Sequence, residues 1–574
     1  MANLEEMLRG TLAPAFEAVA GIEVDPALRR SQHAHFQSDG ALALARRLKS
    51  NPREIATRVL AEAELDDLCS DVEVSGPGFI NITVSDEVLG RLLGRMNTDA
   101  RLDVPKPQQT ETVTVDYSAP NAAKEMHVGH LRSTIIGDAV VRLLEWQGHN
   151  VIRQNHIGEW GTPFGMLIEH LLDIGEAEAA KSLSVGDLNG FYQAARRKFD
   201  ADDAFKDRAR ARVVKLQSGD PTTLRLWKIL VEESKKYFLT VYDLLDVTLT
   251  ADDFFGESFY NDQLQSVVDE LDKLGLLRIS EGAKCVFPEG FTNRNGDPLP
   301  LIVQKSDGGF GYAATDLATI RRRLRDLHAT RLLYVVGLPQ AQHFAMIFQT
   351  AKDAGWLTPP ARAEHIGHGS VLGEDGKILR TRAGASVKLV DLLREAVDRA
   401  TAIIAEKNPD LDEETRAAVA NAVGIGAVKY SDLSTDRTKD YVFDYDRMLS
   451  FDGNTAPYLQ YARARICSIF RRAEVEPPRD LSEIIITEPA ERTLALELLG
   501  FEGVLAQVEE TLEFHRLAHY LYGLATAFTG FYEVCPVLKS EEPIRRSRLA
   551  LCDLTARTLE RGLDLLGIRT PDQM

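Results

Sequence analysis

The 574-residue chain is poor in cysteine and has no long apolar run. Its five cysteines are odd in number, stand far apart and form no Cys-x-x-Cys pair, which argues against a disulfide framework and a structural zinc site. No stretch approaches the roughly 18 consecutive apolar residues that a membrane helix requires. The acidic start MANLEEMLRG lacks the apolar segment of a secretory signal. These absences favour a cytoplasmic enzyme or binding protein without a membrane partner.

Positive charge is also scarce, since the formal net charge is −19 at pH 7. Phosphate contacts supply most of the affinity for RNA, so this excess of acid would by itself count against a nucleic-acid partner. Local distribution decides, however, and arginines cluster at 321–325, 463–472 and 545–548. Each cluster could contact phosphate, or could simply be a solvated helix face.

The patterns predict an α/β multidomain chain: a Rossmann-type parallel-sheet domain with a helical insertion, an N-terminal α+β domain and a C-terminal all-α helical bundle. Residues 1–108 mix the two patterns, with one long helix expected across 39–63 and a strand within 74–86. The stretch 98–112 is polar and contains prolines, which is typical of a linker.

From 109 to 385, strand, helix and strand alternate, which implies a parallel sheet covered by helices. Residues from about 176 to 295 are charged and mostly helical in pattern, and we interpret them as an insertion because strand–helix alternation resumes at LPLIVQKS. The segment 386–447 is then expected to be a helical connector, and 448–574 a helical bundle with apolar stripes.

The segment SAPNAAKEMHVGHLRST, residues 118–134, places His127, Gly129 and His130 where a strand becomes a helix. A helix N-terminus after a parallel strand binds anions, and two imidazoles there can donate hydrogen bonds to phosphate oxygens. Gly129 would let a nucleotide approach closely, and Lys124 would add a mobile positive charge. Capping or packing is the alternative for an isolated histidine pair. At a strand-to-helix switch, His-x-Gly-His is the signature of the nucleotidyl-transfer superfamily that includes class I aminoacyl-tRNA synthetases.

The neighbourhood of this motif closely resembles bacterial arginyl-tRNA synthetases. The resemblance continues through GYAATDLA, YVVGLPQAQHF, HGSVLGEDGKILRTRAG, FDGNTAPYLQYARARI, FYEVCPVL and LDLLGIRTPDQM, so it covers essentially the whole chain. It implies a monomeric enzyme that activates L-arginine with ATP and Mg²⁺ and transfers it to the 3′-terminal adenosine of tRNA(Arg). No covalent enzyme intermediate and no protein-bound zinc are expected.

A guanidinium is planar, permanently charged and rich in donors, so a selective pocket needs carboxylates and carbonyl oxygens. The resemblance implies that Asp316 binds this group, within an arginine site made of Asp116, Ser118, Asn121, Tyr312, Asp316 and Gln340. Without the resemblance, Asp316 would be an ordinary carboxylate at a helix start and Tyr312 a core aromatic.

The resemblance also implies an ATP site. The motif that carries it comprises Pro120, Asn121, Ala122, Ala123, Lys124, Glu125, Met126, His127, Val128, Gly129 and His130. Catalysis falls to Lys124, His127 and His130, and ATP contacts to Lys124, His127, Gly129, His130, His343, His368 and Arg382. The usual Lys-Met-Ser-Lys loop is replaced by GKILRTRAG, whose cations are Lys377, Arg380 and Arg382. In similar arginyl enzymes the lysine ahead of His-x-Gly-His takes over, and Lys124 has that position.

Two regions resemble the RNA-contacting parts of the family. In the N-terminal domain, an exposed Phe36 beside Gln37 could stack on an unpaired base of the tRNA D-loop, with core packing as the alternative. In the C-terminal bundle, the resemblance brings Tyr458, Tyr461, Arg465 and the terminal Met574 towards the anticodon, with Arg463 nearby. Two rival functions stay open: a small-molecule nucleotidyltransferase of the same superfamily, and a non-catalytic RNA-binding paralogue.

Overall fold

The structure is a computed structural model that describes residues 3–179, 188–380 and 386–574. The chain forms two compact units. The terminal unit consists of Met1–Lys106, Phe451–Asp564 and Arg569–Met574, and the central unit of Pro107–Ser450 and Leu565–Ile568. Among the described residues, no helix is long and apolar enough to cross a membrane.

The N-terminal part of the terminal unit packs four helices around an antiparallel sheet of strand order β1-β2-β4-β3. The elements are α1 (Leu4–Ala20), β1 (Leu28–Arg30), β2 (Phe36–Ser38), α2 (Gly40–Leu48), α3 (Pro52–Glu62), β3 (Cys69–Ser75), β4 (Phe79–Val84) and α4 (Asp86–Thr98). The α+β expectation for this region is therefore confirmed, and the strand expected within 74–86 is β4.

The single long helix expected across 39–63 is wrong. The first helix stops at Lys49, whose φ of 52° lies in the left-handed region, and a second helix begins at Pro52. Proline has no backbone N–H to continue a helix but fits its first turn. Asn51 caps this new start because its side chain accepts a hydrogen bond from Arg53 N at 2.9 Å.

The central unit is built around a four-stranded parallel sheet of order β11-β10-β5-β6. Its elements in chain order are β5 (Thr112–Asp116), α5 (Leu131–Gln147), β6 (Asn150–Gln154), α6 (Thr162–Ile174), α7 (Leu188–Ala201), α8 (Asp203–Gln217), α9 (Pro221–Leu245), α10 (Asn261–Lys273), β7 (Leu277–Ser280), β8 (Ala283–Val286), β9 (Leu301–Gln304), α11 (Tyr312–Arg325), β10 (Arg331–Tyr334), α12 (Ala341–Asp353), β11 (Arg362–His365), β12 (Val371–Leu372), α13 (Leu389–Lys407), α14 (Glu413–Leu433), β13 (Tyr441–Val442) and α15 (Tyr445–Met448).

Strand register brings the carboxyl ends of the parallel strands together. Asp116 at the end of β5 pairs with Tyr334 at the end of β10 and with Gln154 at the end of β6. In open parallel sheets this edge is where ligands bind. The helical expectation for the insertion is correct for α7 to α10 but not for its end, because β7, β8 and β9 form a separate antiparallel sheet. LPLIVQKS therefore does not return to the parallel sheet.

The C-terminal part of the terminal unit is a helical bundle, as expected. Its helices are α16 (Ala456–Ala473), α17 (Pro489–Leu499), α18 (Phe501–Thr511), α19 (His515–Val534) and α20 (Ile544–Leu565). It joins the N-terminal part through polar contacts. The Arg492 guanidinium binds both carboxylate oxygens of Asp86 at 2.6 Å, and Arg557 donates to the carbonyl of Asn97 at 3.0 Å.

Candidate active site

The loop between β5 and α5 is conformationally strained. Ser118, Ala119 and Ala123 have φ values of 70°, 46° and 61°, although none of them is glycine. Such conformations cost about 1 to 3 kcal/mol each and persist where surrounding contacts enforce them. Here Ala119 N donates to Asn155 Oδ1 at 3.0 Å, and Ala123 N to Ser234 Oγ at 2.7 Å. Strain of this kind is concentrated at binding and catalytic sites, so it indicates that this segment is a binding loop.

His127 and His130 have defined tautomers. His127 Nδ1 accepts a hydrogen bond from Gly129 N at 3.0 Å, and His130 Nδ1 accepts one from His127 N at 3.1 Å. A neutral imidazole that accepts at Nδ1 carries its proton on Nε2. Both rings, 4.2 Å apart between centroids, therefore offer an Nε2–H donor at the first turn before α5.

The two histidines are neutral at physiological pH. Burial, reinforced by the neighbouring His127, lowers the pKa of His130 to about 4. Burial is also the main cause of the lowered pKa of His127, and the charge of Lys124 adds to it. Lys124 is thus the cation of this loop, while the histidines are uncharged donors.

Two glycines shape this loop. A Cβ on Gly129 would lie 2.7 Å from Cε1 of the His127 ring, so this glycine makes room for the histidine rather than only for a nucleotide. A Cβ on Gly158 would lie 2.2 Å from Asn121 Oδ1. Asn121 is exposed and is held there by paired backbone hydrogen bonds, Ala122 N to Gly158 O and Gly158 N to Pro120 O. Its side chain is therefore presented at the surface of the loop.

The predicted guanidinium site gathers at the start of α11. Tyr312 is the first residue of this helix and is 80% exposed, and Asp316 follows one turn later. Asp316 Oδ2 accepts a hydrogen bond of 2.6 Å from His343 Nε2, which joins an expected arginine contact to an expected ATP contact. Gln340 is exposed on the short 3-10 turn that precedes α12.

Two further carboxylates escaped the sequence-based prediction. Burial raises the pKa of Glu257 to about 7, and the charge of Asp316 contributes. Burial likewise raises the pKa of Glu159 to about 7, although Ser258 donates to its Oε1 through both N–H and hydroxyl. Glu159 Oε2 is buried and has no partner among the described residues. The sequence signal was weak: Glu257 stands between aromatic residues in FFGESFY, and Glu159 precedes a tryptophan in GEWG.

Asp116 and Ser118 are buried rather than open to a ligand. Asp116 Oδ2 accepts a 2.6 Å hydrogen bond from Arg323 Nη2, and the Arg323 side chain is fully buried. The Ser118 hydroxyl is shared with Thr134 at 3.0 Å and with Tyr242 at 2.8 Å. These contacts hold the strand end and loop in place, and a direct contact of either side chain with arginine stays a prediction.

The expected far side of the ATP site contains His368. Its Nδ1 lies 3.0 Å from the Gly369 carbonyl, which can only accept, so Nδ1 is protonated and Nε2 is an acceptor. Nε2 is buried without a partner among the described residues, and burial lowers the pKa of the ring to about 4. Lys377 and Arg380 are exposed on the neighbouring loop, while Arg382 lies outside the described residues.

The expectation of an exposed Phe36 is wrong. The ring is only 4% exposed and belongs to the core of the N-terminal domain, because its strand pairs on both sides within the sheet. Gln37 is also buried, and its Nε2 donates to Asn81 Oδ1 at 2.7 Å. An open groove of about 1060 Å³ lies beside it, lined by Arg29, Arg30, Ser31, Gln32, His33, Gln37, Glu73, Ser75, Gly76, Phe79, Asn81 and Glu497.

On α16 the expected residues divide into two kinds. Tyr461 is 46% exposed, and Arg465 is exposed with its guanidinium carbon 4.8 Å from the centre of the Tyr532 ring. Tyr458 is partly buried against Tyr522. Arg463 is buried and donates to Asp572 and Glu560, so it anchors the C-terminal segment instead of offering a phosphate contact. Met574, the last residue, is partly exposed.

The other arginine clusters are largely used within the protein. Arg321 and Arg325 both bind Glu270, and Arg323 is buried against Asp116. In the third cluster, Arg546 pairs with Asp480 and Arg548 with buried Glu491. Arginine clustering in the sequence therefore overstated the positive surface.

Family models match the three regions of the chain. The model for "tRNA synthetases class I (R), catalytic domain" matches residues 95–445, the "DALR anticodon binding domain" matches 459–574, and the "Arginyl tRNA synthetase N terminal domain" matches 2–84. Together with the parallel sheet and its His-x-Gly-His loop, these matches define a class I aminoacyl-tRNA synthetase.

Whole-chain relatives narrow the class. The chain is 57% identical to the arginine–tRNA ligase of Thermobifida fusca and 48% identical to that of Hahella chejuensis, with full coverage of both chains in each comparison. Its fold matches arginyl-tRNA synthetase structures from Plasmodium falciparum (TM-score 0.86, 30% identity) and Thermus thermophilus (0.83, 26%), again over 100% of each chain. The chain belongs to the arginyl-tRNA synthetase family.

Proposed function

We propose that this arginine–tRNA ligase performs both steps of its reaction at the carboxyl edge of the parallel sheet. The arginine carboxylate attacks the α-phosphorus of ATP, giving arginyl-adenylate and pyrophosphate. The 2′ hydroxyl of the terminal adenosine of tRNA(Arg) then attacks the adenylate carbonyl, and AMP and a proton leave. The observation that carries this assignment is the pair of fixed, neutral Nε2–H donors of His127 and His130 at the turn that follows β5.

In this proposal His127 and His130 donate to the ATP phosphates, where negative charge increases as pyrophosphate departs. Preorganised donors stabilise such charge without reorganising during the reaction. Lys124 supplies the cation that the loop GKILRTRAG lacks in its usual form, and His368 Nε2 accepts from a hydroxyl or amino group of the nucleotide. Mg²⁺ enters with ATP as part of the substrate.

Asp316 binds the guanidinium in this proposal, and Tyr312, Asn121 and Gln340 complete the polar wall. Glu257 adds negative charge close to Asp316, which suits a cationic side chain. Asp116 and Ser118 support the loop from beneath through Arg323 and Tyr242. Selectivity for arginine then follows from Asp316 and Glu257, since a neutral side chain would leave their negative charge without a cationic partner.

The terminal unit is proposed to bind tRNA. Residues 1–108 would contact the D-loop side through the groove beside Gln37 and Asn81, and the bundle 448–574 would meet the anticodon through Tyr458, Tyr461, Arg465 and Met574. A stacking surface beside a cation suits single-stranded RNA. A cytoplasmic, monomeric enzyme whose activation step requires bound tRNA is part of the same proposal.

The test is transfer of labelled arginine to purified tRNA(Arg) in the presence of ATP and Mg²⁺. Acid-precipitable arginyl-tRNA should form, and a tRNA lacking its terminal adenosine should accept none. A small-molecule nucleotidyltransferase would release pyrophosphate without labelling tRNA, and a non-catalytic paralogue would bind tRNA without consuming ATP. Either result would contradict the proposal.

A further inference from the structure

The Lys124 ammonium lies against an aromatic ring of the helical insertion. Its Nζ is 4.7 Å from the ring centre of Tyr192, on α7. We propose that Tyr192 is a positioning residue for Lys124, holding the ammonium ready beside the His127–His130 pair. This inference rests on the proposed role of Lys124 in arginine activation.

Within the described part of the chain, Lys124 takes part in no ion pair. The adjacent carboxylate of Glu125 is engaged by Lys388, whose Nζ lies 2.8 Å from Glu125 Oε2. The Tyr192 ring is therefore the contact that defines where the Lys124 charge rests. The charge of Lys124 acts electrostatically on His127 and helps to lower its pKa.

The ring is held by the packing of its own helix. Phe191, the preceding residue, is buried with its ring centre 4.9 Å from that of His170 on α6. Ala195 is buried one turn later, and Lys198 Nζ pairs with Asp173 on α6 at 3.3 Å. Because α7 is fixed at these points, Tyr192 is directed towards the loop by the scaffold of the insertion.

The backbone just before the lysine is fixed by a second helix of the same region. Ala123, immediately before Lys124, donates its N–H to Ser234 Oγ on α9 at 2.7 Å. The positive φ of Ala123 turns the chain at this point. Both partners of the contact, Lys124 and Tyr192, are thus positioned by helices of the insertion. Neither helix was assigned to the ATP site from the sequence.

An aromatic partner suits a cation that must later bind phosphate. A carboxylate would neutralise the ammonium and compete with the incoming ligand, whereas a ring face attracts the cation and leaves its charge intact. The three rotatable donors of the ammonium stay available. The ring also restricts a long flexible side chain, which reduces the entropy lost when the lysine engages ATP.

The test compares Tyr192→Leu and Tyr192→Met with Tyr192→Phe in arginine-dependent, tRNA-supported pyrophosphate exchange. Loss of a cation–π contact should lower kcat about three- to thirty-fold, with little change in the KM for arginine. The phenylalanine variant should retain wild-type kcat because it keeps the ring face. Phe199→Leu is the matched control, since Phe199 lies on the same helix beside Arg196 and Lys206 and does not contact Lys124.

Combination with Lys124→Ala separates positioning from a general structural effect. In that background Tyr192→Leu should cause no additional loss of kcat. An equal loss in both backgrounds, or unchanged kcat in the Leu and Met variants while Lys124→Ala is impaired, would overturn the role of Tyr192 and leave that of Lys124 standing. Full activity of Lys124→Ala would instead remove the proposed role of Lys124, and the positioning role with it.

Discussion

The active-site loop of the central unit and the predicted RNA surface of the terminal unit use their polar side chains differently. In His127 and His130, Nδ1 accepts a hydrogen bond from a backbone N–H, so the Nε2 proton stays available to a ligand. RNA contacts were expected of Gln37 and Arg463 by the same kind of reasoning, but their side chains donate hydrogen bonds to Asn81 and Asp572 within the protein. Residue type alone therefore does not mark a binding group; the decisive feature is which atom its neighbours leave available.

The largest predicted effect concerns Asp316 in the proposed guanidinium site. Asp316→Ala should lower kcat/KM for arginine. The lost transition-state stabilisation should be about 2 to 5 kcal/mol, because a desolvated guanidinium loses its charged partner. Steady-state exchange kinetics at varied arginine measure this effect. Asp326→Ala, at the exposed end of the same helix, is the control and should match wild type. Unchanged arginine kinetics in Asp316→Ala would place the pocket elsewhere.

His130→Asn separates the two nitrogens of the ring. Its side-chain oxygen can still accept from His127 N, but the Nε2–H donor is lost. We expect a lower kcat for activation, corresponding to an activation free energy raised by about 1.5 to 3 kcal/mol, the typical value of a hydrogen bond to a charged group. The melting temperature should stay close to wild type. A variant that kept full kcat would show that His130 only caps the helix.

In the terminal unit, Tyr461→Ala should weaken tRNA binding by about 1 to 3 kcal/mol, the usual contribution of one base–aromatic stack. Tyr461→Phe keeps the ring and should bind normally. Phe36→Leu should instead lower the melting temperature, because Phe36 lies in the core. Loss of tRNA affinity without loss of stability in Phe36→Leu would contradict the contrast between the two residues.

The smallest effect concerns pH. The raised pKa of Glu257, about 7, means that this carboxyl is largely protonated below pH 7 and charged above it. The KM for arginine should therefore fall as pH rises through about 7, and Glu257→Gln should flatten this dependence. The pKa of His130, about 4, predicts no inflection from that histidine between pH 6 and 8. A wild-type KM that is independent of pH would show that Glu257 does not face the substrate.

Much of the fold was predictable because local signals agree with it. The β5–α5–β6 unit and the C-terminal helices follow hydrophobic periodicity, and the motif located His127 and His130 correctly at the strand-to-helix switch. The helix break at Asn51–Pro52 was also readable, since proline rarely continues a helix, but the amphipathic pattern on both sides concealed it.

Other features depend on contacts distant in sequence. The burial of Phe36 follows from pairing of β2 with β1 and β4, and Glu257 reaches Asp316 from a segment some sixty residues earlier in the chain. The pairing of Arg323 with Asp116 joins residues separated by 207 positions. The contact between Tyr192 and Lys124 is of the same kind. No local pattern in the sequence specifies these partners.

The central claim is that one site couples arginine, ATP and tRNA. Pyrophosphate exchange with ATP, measured with and without arginine and with and without tRNA(Arg), tests it most directly. We predict exchange only when both arginine and tRNA are present. Exchange in the absence of arginine, or no exchange under any of the four conditions, would contradict the account.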